Sequence, residues 1–266
     1  MALTAEYSLG CGLFEFDIST PLFEQMRLDF ERLSPVTLNE AQLASVHENP
    51  GVYSLHYAGK LVYIGKADGD ARTRLRKHRK QLLGRVGISP EDVTFRCLHF
   101  SFTWDPFKPE SHMIKHYSPI WNSKGFGPND PGRQRDTTKL ADTHWHVRFP
   151  LNPEYPCSGV PSGQYDVLEL LREVCRQSPF WIRFQGNREP RAGDDQFAYE
   201  AAQRDFGTAT AVFVPEDHMT VKALLLLAIQ ALPNPDQWQL SQLPSHLLLY
   251  RETAKDYPRM TRLWPH

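Results

Sequence analysis

Cysteine is scarce in this sequence. The four residues Cys11, Cys97, Cys157 and Cys175 stand far apart and show no CxxC spacing. This distribution argues against a zinc ribbon and against a dense disulfide framework. Buried, reduced thiols are the expectation, as in a cytoplasmic protein.

Long apolar runs are also missing. The longest, from Ala223 to Ile229, is far shorter than the roughly 20 residues that a membrane-spanning helix needs, and it is typical of a core helix. The N-terminus has neither the basic region nor the continuous apolar stretch of a secretory signal. We therefore expect no membrane association, no export and a cytoplasmic location.

Charge of one sign is not in excess, since 30 Lys and Arg balance 31 Asp and Glu. Any attraction to nucleic acid must therefore come from a local patch rather than from the net charge of −1. Hydrophobic residues make up 41% of the chain and charged residues 23%, as in an ordinary folded protein. The length of 266 residues allows one large domain or two small ones.

Helix and strand patterns alternate in the first half of the chain. A helical segment, PLFEQMRLDFERL, precedes two β-rich runs, GVYSLHY and LVYIG, which form a predicted hairpin with Gly59 in the turn. A helix is expected from about Ala71 to Leu83, then a strand in VTFRCLHFSFT. A further helix should start near Pro109 and end at Pro119.

From Lys124 to about Pro161 the chain is rich in Gly, Pro, Asn and Asp, which predicts an irregular loop followed by a linker. Helix and strand signals then alternate again as far as Leu232. The expected fold class is α+β, with a small central antiparallel or mixed β-sheet flanked by helices, an N-terminal helical extension and a C-terminal α/β or α+β unit. The predicted division is 1–46, 47–155 and 163–266.

Two tyrosines occupy the predicted hairpin. Antiparallel neighbours of matching parity share one face of a sheet, so an odd-length turn would place Tyr53 and Tyr63 side by side. Tyrosine is also among the best strand formers, so packing alone explains each residue taken separately.

The helix that follows is strongly basic. Arg74 and His78 lie four residues apart on one face, while Leu75 and Leu82 turn toward the core. Such a density of cations, without an acid among them, is either solvated or matched to phosphates. The candidate DNA-binding residues on this helix and in the later loop are Arg72, Arg76, Lys77, Arg79, Lys80, Lys124, Arg133 and Arg135.

Glu110 starts a helix and falls on its inward stripe with Met113 and Tyr117. A carboxylate there needs a partner, which is either the helix N-terminus or a divalent cation such as Mg²⁺. His112 and His116 are four residues apart on the same helix, but they lack an HExxH motif or a further ligand cluster, which argues against zinc.

In their order along the chain, these residues resemble the motifs of the GIY-YIG nuclease family. The motif positions are Gly51-Val52-Tyr53, Tyr63-Ile64-Gly65, Arg74, His78, Glu110 and Asn122, with GVY in place of GIY. The restriction-endonuclease branch is matched further by Lys66-Ala67, Trp121-Asn122, Gly125-Phe126-Gly127 and Asp130-Pro131-Gly132. The resemblance covers about Pro50 to Arg135 and leaves the rest of the chain without an assigned role.

The resemblance implies a metal-dependent endonuclease. Phosphodiester hydrolysis needs an activated water, charge neutralisation at the phosphate and a stabilised leaving oxygen. Glu110 is then the ligand of a single Mg²⁺ or Mn²⁺ on the scissile phosphate, and Arg74 donates to the same phosphate. Tyr53 is a candidate for activating water, with Lys66 lowering the phenol pKa, and His78 is the alternative base.

Two residues complete the implied site. Tyr63 orients the water or the phosphate, and Asn122 either hydrogen-bonds the phosphate or braces the site. Arg133 and Arg135 are candidates for phosphate or base contacts.

The substrate implied is double-stranded DNA, and the leading interpretation is a sequence-specific type II restriction endonuclease. A single-metal site cuts one strand, so double-strand cleavage implies a homodimer or sequential nicks. The alternatives are a less specific DNase in phage defence, interbacterial killing or repair, and a non-catalytic DNA-binding module.

Overall fold

The computed structural model describes residues 19–100, 109–127, 136–187, 189, 195–252 and 254–265. Over these residues the fold is α+β, with antiparallel and mixed sheets flanked by helices, as the sequence predicts. The elements of the first half are α1 (Ser19–Arg32), β1 (Val36–Thr37), α2 (Glu40–Ala44), β2 (Gly51–Tyr57), β3 (Lys60–Ala67), α3 (Ala71–Leu82), β4 (Val93–His99), α4 (Pro109–Tyr117) and α5 (Trp145–Arg148).

The first sheet has the strand order β1-β4-β2-β3, and every neighbouring pair is antiparallel. The predicted hairpin is confirmed as β2 and β3. Its turn consists of Ala58 and Gly59, both with positive φ (50° and 72°), which is the backbone that a two-residue turn of type I′ requires. Glycine adopts this conformation without the steric penalty that a side chain brings.

A β-bulge sets the register of this hairpin. A two-residue turn alone would put Tyr53 and Tyr63 on opposite faces, since it pairs Tyr57 with Lys60. The pairing shifts by one residue at Val62, and Tyr53 then lies opposite Gly65. The expectation that the tyrosines share a face is confirmed, but the bulge produces it rather than an odd-length turn.

Helix α3 packs one face against the sheet, as predicted. Asp70 caps its N-terminus by accepting a hydrogen bond from the Thr73 backbone N–H at 3.1 Å. The side chains buried along it are Ala71, Leu75, His78 and Leu82. These residues share one core with Tyr53, Tyr63 and Trp121, and the same core includes Leu38 and Leu43 from the predicted N-terminal extension.

Helix α1 covers the opposite face of the sheet. Phe23, Met26 and Phe30 pack there against Val52, Ile64 and Met113. Met113 brings α4 into the same cluster, so α1 and α4 together hold the outer side of the β2–β3 hairpin.

The second half adds elements that the sequence predicts in part. These are β5 (Gly163–Tyr165), α6 (Val167–Gln177), β6 (Trp181–Phe184), α7 (Gln196–Thr208), β7 (Val212–Val214), α8 (Val221–Gln230), β8 (Gln239–Gln242), β9 (His246–Tyr250) and β10 (Thr261–Trp264). The predicted helices and strands up to α8 are confirmed. The sequence analysis did not identify β8, β9 and β10, which form a mixed sheet in the order β10-β8-β9-β6.

A separate hydrophobic core fills this second half. It includes Leu170, Leu224, Trp238 and Leu249. Leu151 and Cys157 also belong to it, so the stretch predicted as a linker is ordered and packed. The burial of apolar side chains explains that order, because a linker has none to bury.

Polar contacts join the two halves. Asp136 accepts hydrogen bonds from Arg183 Nη1 at 2.7 Å and forms another with His246 Nε2 at 2.8 Å. Arg85, just beyond α3, donates to the Pro244 carbonyl at 3.0 Å. The β6–β9 sheet is thereby tied to the end of the helix that carries His78.

Three cysteines among the described residues, Cys97, Cys157 and Cys175, are free thiols, as predicted. Burial raises the pKa of Cys97 and Cys175 to about 12. In the part of the chain that the structure describes, no helix combines the length and apolar character needed to cross a membrane.

Asp205 on α7 is a buried carboxylate with two donors. Its Oδ2 accepts from Trp238 Nε1 at 2.9 Å and from Arg251 Nε at 3.0 Å. A single side chain thus joins α7 to both ends of the β8–β9 hairpin, and its removal leaves a cation and an indole N–H without their acceptor.

Replacement of Asp205 by alanine should therefore lower the free energy of unfolding by ~3 kcal/mol, the order expected when one partner of a buried ion pair is removed. Urea denaturation checks this value. The matched control is Asp236→Ala at an exposed site, where a change within about 0.5 kcal/mol is expected. Equal shifts for the two variants would contradict the assigned role of Asp205.

Candidate active site

Tyr53 and His78 form the centre of the site. Tyr53 Oη and His78 Nε2 are hydrogen-bonded at 2.8 Å, and both side chains are buried. β2 supplies the phenol and α3 supplies the imidazole. The bond therefore joins the sheet to the helix at the place where the motif residues converge.

Gly65 makes room for this arrangement. A Cβ at this position would lie 2.4 Å from Tyr53 Oη, closer than real side chains approach. The Tyr53 ring lies over the bare backbone of β3, directly opposite in the pairing register. The glycine of the YIG motif is thus explained by a close approach and not by an unusual φ.

Tyr63 and Phe126 enclose His78. The Tyr63 ring centroid is 5.0 Å from that of His78, and Phe126 stacks on the imidazole at the same separation. Gly127 has φ +69°, and a Cβ there would lie 2.7 Å from the Tyr63 hydroxyl. The Gly-Phe-Gly segment therefore closes the site by supplying an aromatic cover and a tight turn.

Burial dominates the ionisation of these groups. It raises the pKa of Tyr63 to about 12 and raises the pKa of Tyr53 even further. Burial, with the Arg74 charge as a second cause, lowers the pKa of His78 to about 3. At neutral pH both phenols keep their protons and the imidazole is neutral.

The predicted effect of Lys66 on Tyr53 is wrong. The Tyr53 pKa is raised by burial, and the cation that opposes this rise is Arg74. Lys66 instead pairs with Asp68 at 2.5 Å and acts on Glu110. The reason is geometric: Lys66 is next to Gly65 on β3, and successive side chains point to opposite faces of a strand.

Glu110 lies at the first turn of α4 and is half-buried. Burial raises the pKa of its carboxyl group, whereas Lys66 and Arg74 lower it. The Lys66 backbone amide also acts to lower this pKa. Glu110 thus lies beside the outer edge of β3, within the electrostatic reach of Arg74.

Asn122 braces the same edge. Its Oδ1 accepts from the Ile64 backbone N–H at 2.9 Å, and its Nδ2 donates to the Ile64 carbonyl at 2.8 Å. β3 is the edge strand of its sheet, so these bonds replace those that a further strand would make. Of the two predicted roles for Asn122, the structure shows this bracing contact.

The predicted DNA-binding residues fall into two groups. Three of the arginines pair with carboxylates from the α2 side: Arg72 with Glu48 at 2.7 Å, and Arg76 and Arg79 with Glu40 at 3.3 and 3.4 Å. The basic run contains no Asp or Glu of its own, but neighbouring segments supply two carboxylates. The pairing is a tertiary contact that the helix sequence does not reveal.

Lys77 and Lys80 of α3 are exposed. Lys124 is half-buried, and its carbonyl accepts from the Trp145 backbone N–H at 2.6 Å. Arg133 and Arg135 lie outside the described residues, as does the Asp-Pro-Gly segment.

His112 and His116 pack against Phe23 of α1, with ring centroids 5.5 and 5.9 Å apart. Among the described residues, no group of three His, Cys, Asp or Glu side chains could hold a metal ion. A metal at Glu110 would rely on this carboxylate together with water and substrate oxygens.

Sequence reasoning assigned no role to Phe126. It recorded this residue as part of the Gly-Phe-Gly motif, and the structure shows that the ring stacks on His78. The glycines on either side of Phe126 are the sequence signal for this role, because a large aromatic residue between two glycines is typical of a ring inserted from a tight turn.

Gly65→Ala should displace the Tyr53 ring and destabilise the domain by about 1–3 kcal/mol, because the methyl group overpacks a filled site. Thermal or urea unfolding measures the loss. Gly69→Ala is the matched control, since nothing lies within 4 Å of a Cβ there. Wild-type stability for Gly65→Ala would show that Tyr53 does not need the bare backbone.

His78 should remain neutral when the pH is lowered from 7.5 to 4.5, because burial lowers its pKa to about 3. NMR of the ring nitrogens checks this, with free histidine, whose pKa is about 6.5, measured under the same conditions as the reference.

The same shift has a consequence for stability. The unfolded chain binds a proton at this residue below about pH 6.5, whereas the folded protein does so near pH 3. The His78 contribution to stability is thus fully present above pH 6.5 and is lost as the pH falls toward 3. Titration of His78 near pH 6.5 in the folded protein would contradict this account.

Comparison with known proteins identifies the domain. Residues 65–150 match the family model described as the Eco29kI GIY-YIG domain. This range contains Lys66, Arg74, His78, Glu110 and Asn122, while Tyr53 and Tyr63 precede it and are joined to the site by the contacts described above. A search of curated proteins finds no match to the chain. Residues 65–150 therefore form a domain of the GIY-YIG nucleases, in their restriction-endonuclease-related branch, and that family is one of endonucleases that hydrolyse DNA phosphodiester bonds.

Proposed function

We propose that this protein is a type II restriction endonuclease that cuts double-stranded DNA at specific sequences and depends on Mg²⁺ or Mn²⁺. The observation that carries the proposal is the Tyr53–His78 hydrogen bond, with Arg74 and Glu110 within electrostatic reach of the Tyr53 phenol. A neutral base, a cation for phosphate and a carboxylate for metal are the groups that phosphodiester hydrolysis needs.

Tyr53 and His78 activate the attacking water together. Both side chains are buried and share a hydrogen bond, and in the proposed relay a proton from water passes to His78 through the Tyr53 hydroxyl. In the tautomer that carries its proton on Nδ1, His78 accepts the Tyr53 proton at Nε2 while Tyr53 takes one from water. Tyr53 and His78 thus form one proton relay and are not alternative bases.

Arg74 couples this relay to substrate binding. Its charge contributes to the low pKa of His78. A phosphate bound to the exposed guanidinium neutralises that charge, so the imidazole becomes a stronger base when DNA is present. Arg74 also stabilises the negative charge that develops on the phosphate during hydrolysis.

Glu110 suits a single divalent cation. Its half-buried carboxylate beside the edge strand β3 is a hard oxygen donor, the kind of ligand that Mg²⁺ and Mn²⁺ prefer. A cation bound there would neutralise phosphate charge and assist departure of the leaving oxygen. Lys66 limits the rise of the Glu110 pKa, which favours the ionised form that binds a cation.

Tyr63 and Asn122 hold the geometry. Tyr63 packs between His78 and Gly127 and so fixes one wall of the site, where it orients the water or the phosphate. Asn122 keeps the backbone of Ile64 in place, and with it the two residues on either side, Tyr63 and Gly65. Each protomer has one such site, so a break in both strands requires a homodimer or two successive nicks.

Glu110→Ala should reduce cleavage of unmethylated plasmid and phage DNA at least ~100-fold, the order seen when one electrostatic stabiliser of a transition state is removed. EDTA should abolish cleavage by the wild-type protein. The matched control is Glu200→Ala at an exposed site on α7, which should cut at the wild-type rate.

The products distinguish the proposal from its alternatives. A restriction enzyme gives discrete fragments from several plasmids, whereas a less specific nuclease gives a smear. Binding without cleavage by the wild-type protein, under every divalent cation tried, would favour a non-catalytic DNA-binding module and refute the proposed activity.

A further inference from the structure

A cleft of about 620 Å³ lies where the two halves of the chain meet. One wall is the side of α3 that carries Lys77 and Lys80. The opposite wall is the start of β6, from Phe180 to Arg183. The second half of the chain therefore contributes directly to a surface beside the active site.

The cleft is positively charged. Its lining includes Lys77, Lys80, Arg85 and Arg183, and among the described residues it includes no Asp or Glu. Arg183 pairs with Asp136, and Arg85 lies over the Trp145 ring. The two lysines are exposed and, within the described part of the chain, form no ion pair, so their charge is available to an anionic partner.

Trp181 adds an aromatic surface between these cations. Its side chain is 58% exposed, at the first residue of an edge strand. Tryptophan is enriched at interfaces, because its ring combines a large apolar surface with an N–H donor. Proteins bind nucleic acid by combining cations that contact phosphates with an aromatic ring that contacts sugars or bases.

The cleft lies next to the candidate active site. Lys77 follows Arg74 by three residues and therefore lies on the adjacent part of the same helix face, with Lys80 one turn further. Gly127 lines the cleft and also lies against the Tyr63 hydroxyl. A DNA strand whose scissile phosphate rests on Arg74 would run along α3 into the cleft.

We infer that this cleft binds the sugar–phosphate backbone of the duplex next to the scissile phosphate. Lys77 and Lys80 contact successive phosphates, and Trp181 packs against the strand from the side of the C-terminal half. The inference rests on the proposed function for the identity of the ligand. It assigns part of DNA binding to residues outside the region that matches the family model.

The test measures binding apart from cleavage. A fluorescently labelled duplex of mixed sequence is titrated with full-length protein in Ca²⁺ without Mg²⁺, at several salt concentrations, with anisotropy as the readout. Trp181→Ala and the double variant Lys77→Ala/Lys80→Ala probe the cleft. Lys60→Ala, at the exposed first residue of β3, and Phe213→Ala, at an exposed aromatic site on β7, are the matched controls.

The double lysine variant should bind at least about tenfold more weakly, and its plot of log affinity against log salt should be shallower by about 2, since each lost phosphate contact removes about 0.9 from the slope. Trp181→Ala should lose about tenfold in affinity with little change in that slope, because the uncharged ring contacts the strand without releasing a counterion. Trp181→Phe should recover most of the loss, and both controls should bind as the wild type does.

Binding of the cleft variants equal to that of Lys60→Ala and Phe213→Ala would overturn the inference, as would failure of the wild type to bind duplex DNA. Stronger competition by an acidic peptide than by unlabelled duplex would also overturn it and assign the cleft to a protein partner. If the variants lose affinity as expected but no DNA is cut in Mg²⁺, the inference stands and the proposed endonuclease function fails.

Discussion

The close approach of Tyr53 to the backbone of Gly65 is the constraint on which the rest of the site depends. It places the Tyr53 hydroxyl 2.8 Å from His78 Nε2, and it requires Gly65 to have no side chain. It also requires the bulge at Val62, because without that extra residue Gly65 would not lie opposite Tyr53. One local irregularity of a hairpin thus determines whether a phenol and an imidazole meet.

Much of this arrangement follows from the sequence by short-range rules. The hairpin, the helix from Ala71 and the helix that carries Glu110 are visible in strand runs and 3.6-residue periodicity. The order of the motifs identifies Arg74, His78 and Glu110 as candidate site residues from the sequence alone. The bulge, the Phe126 stack and the pairing of Arg76 with Glu40 are tertiary outcomes. They depend on what lies across the fold, which periodicity along one segment does not encode.

The error over Lys66 has the same origin. Proximity along the chain suggested that its charge acts on Tyr53, but alternation along β3 directs it to the other face. There it serves Glu110, whose carboxyl group would otherwise be protonated more readily because of burial. The face of the strand on which a charged residue lies therefore predicts its electrostatic partner better than its distance along the sequence does.

Burial keeps both tyrosines protonated and makes His78 a weak base. In the proposed mechanism, water activation would therefore be unfavourable until a phosphate reaches Arg74. DNA binding and hydrolysis are then coupled through the charge of Arg74. A DNA contact that positions the phosphate better at Arg74 also makes His78 a stronger base. A cationic cleft that extends from Arg74 toward β6 would act in this way, because every phosphate held there restricts where the next one can lie. The C-terminal half, which has its own core and no motif of the nuclease family, would then influence catalysis without contributing a group to the reaction.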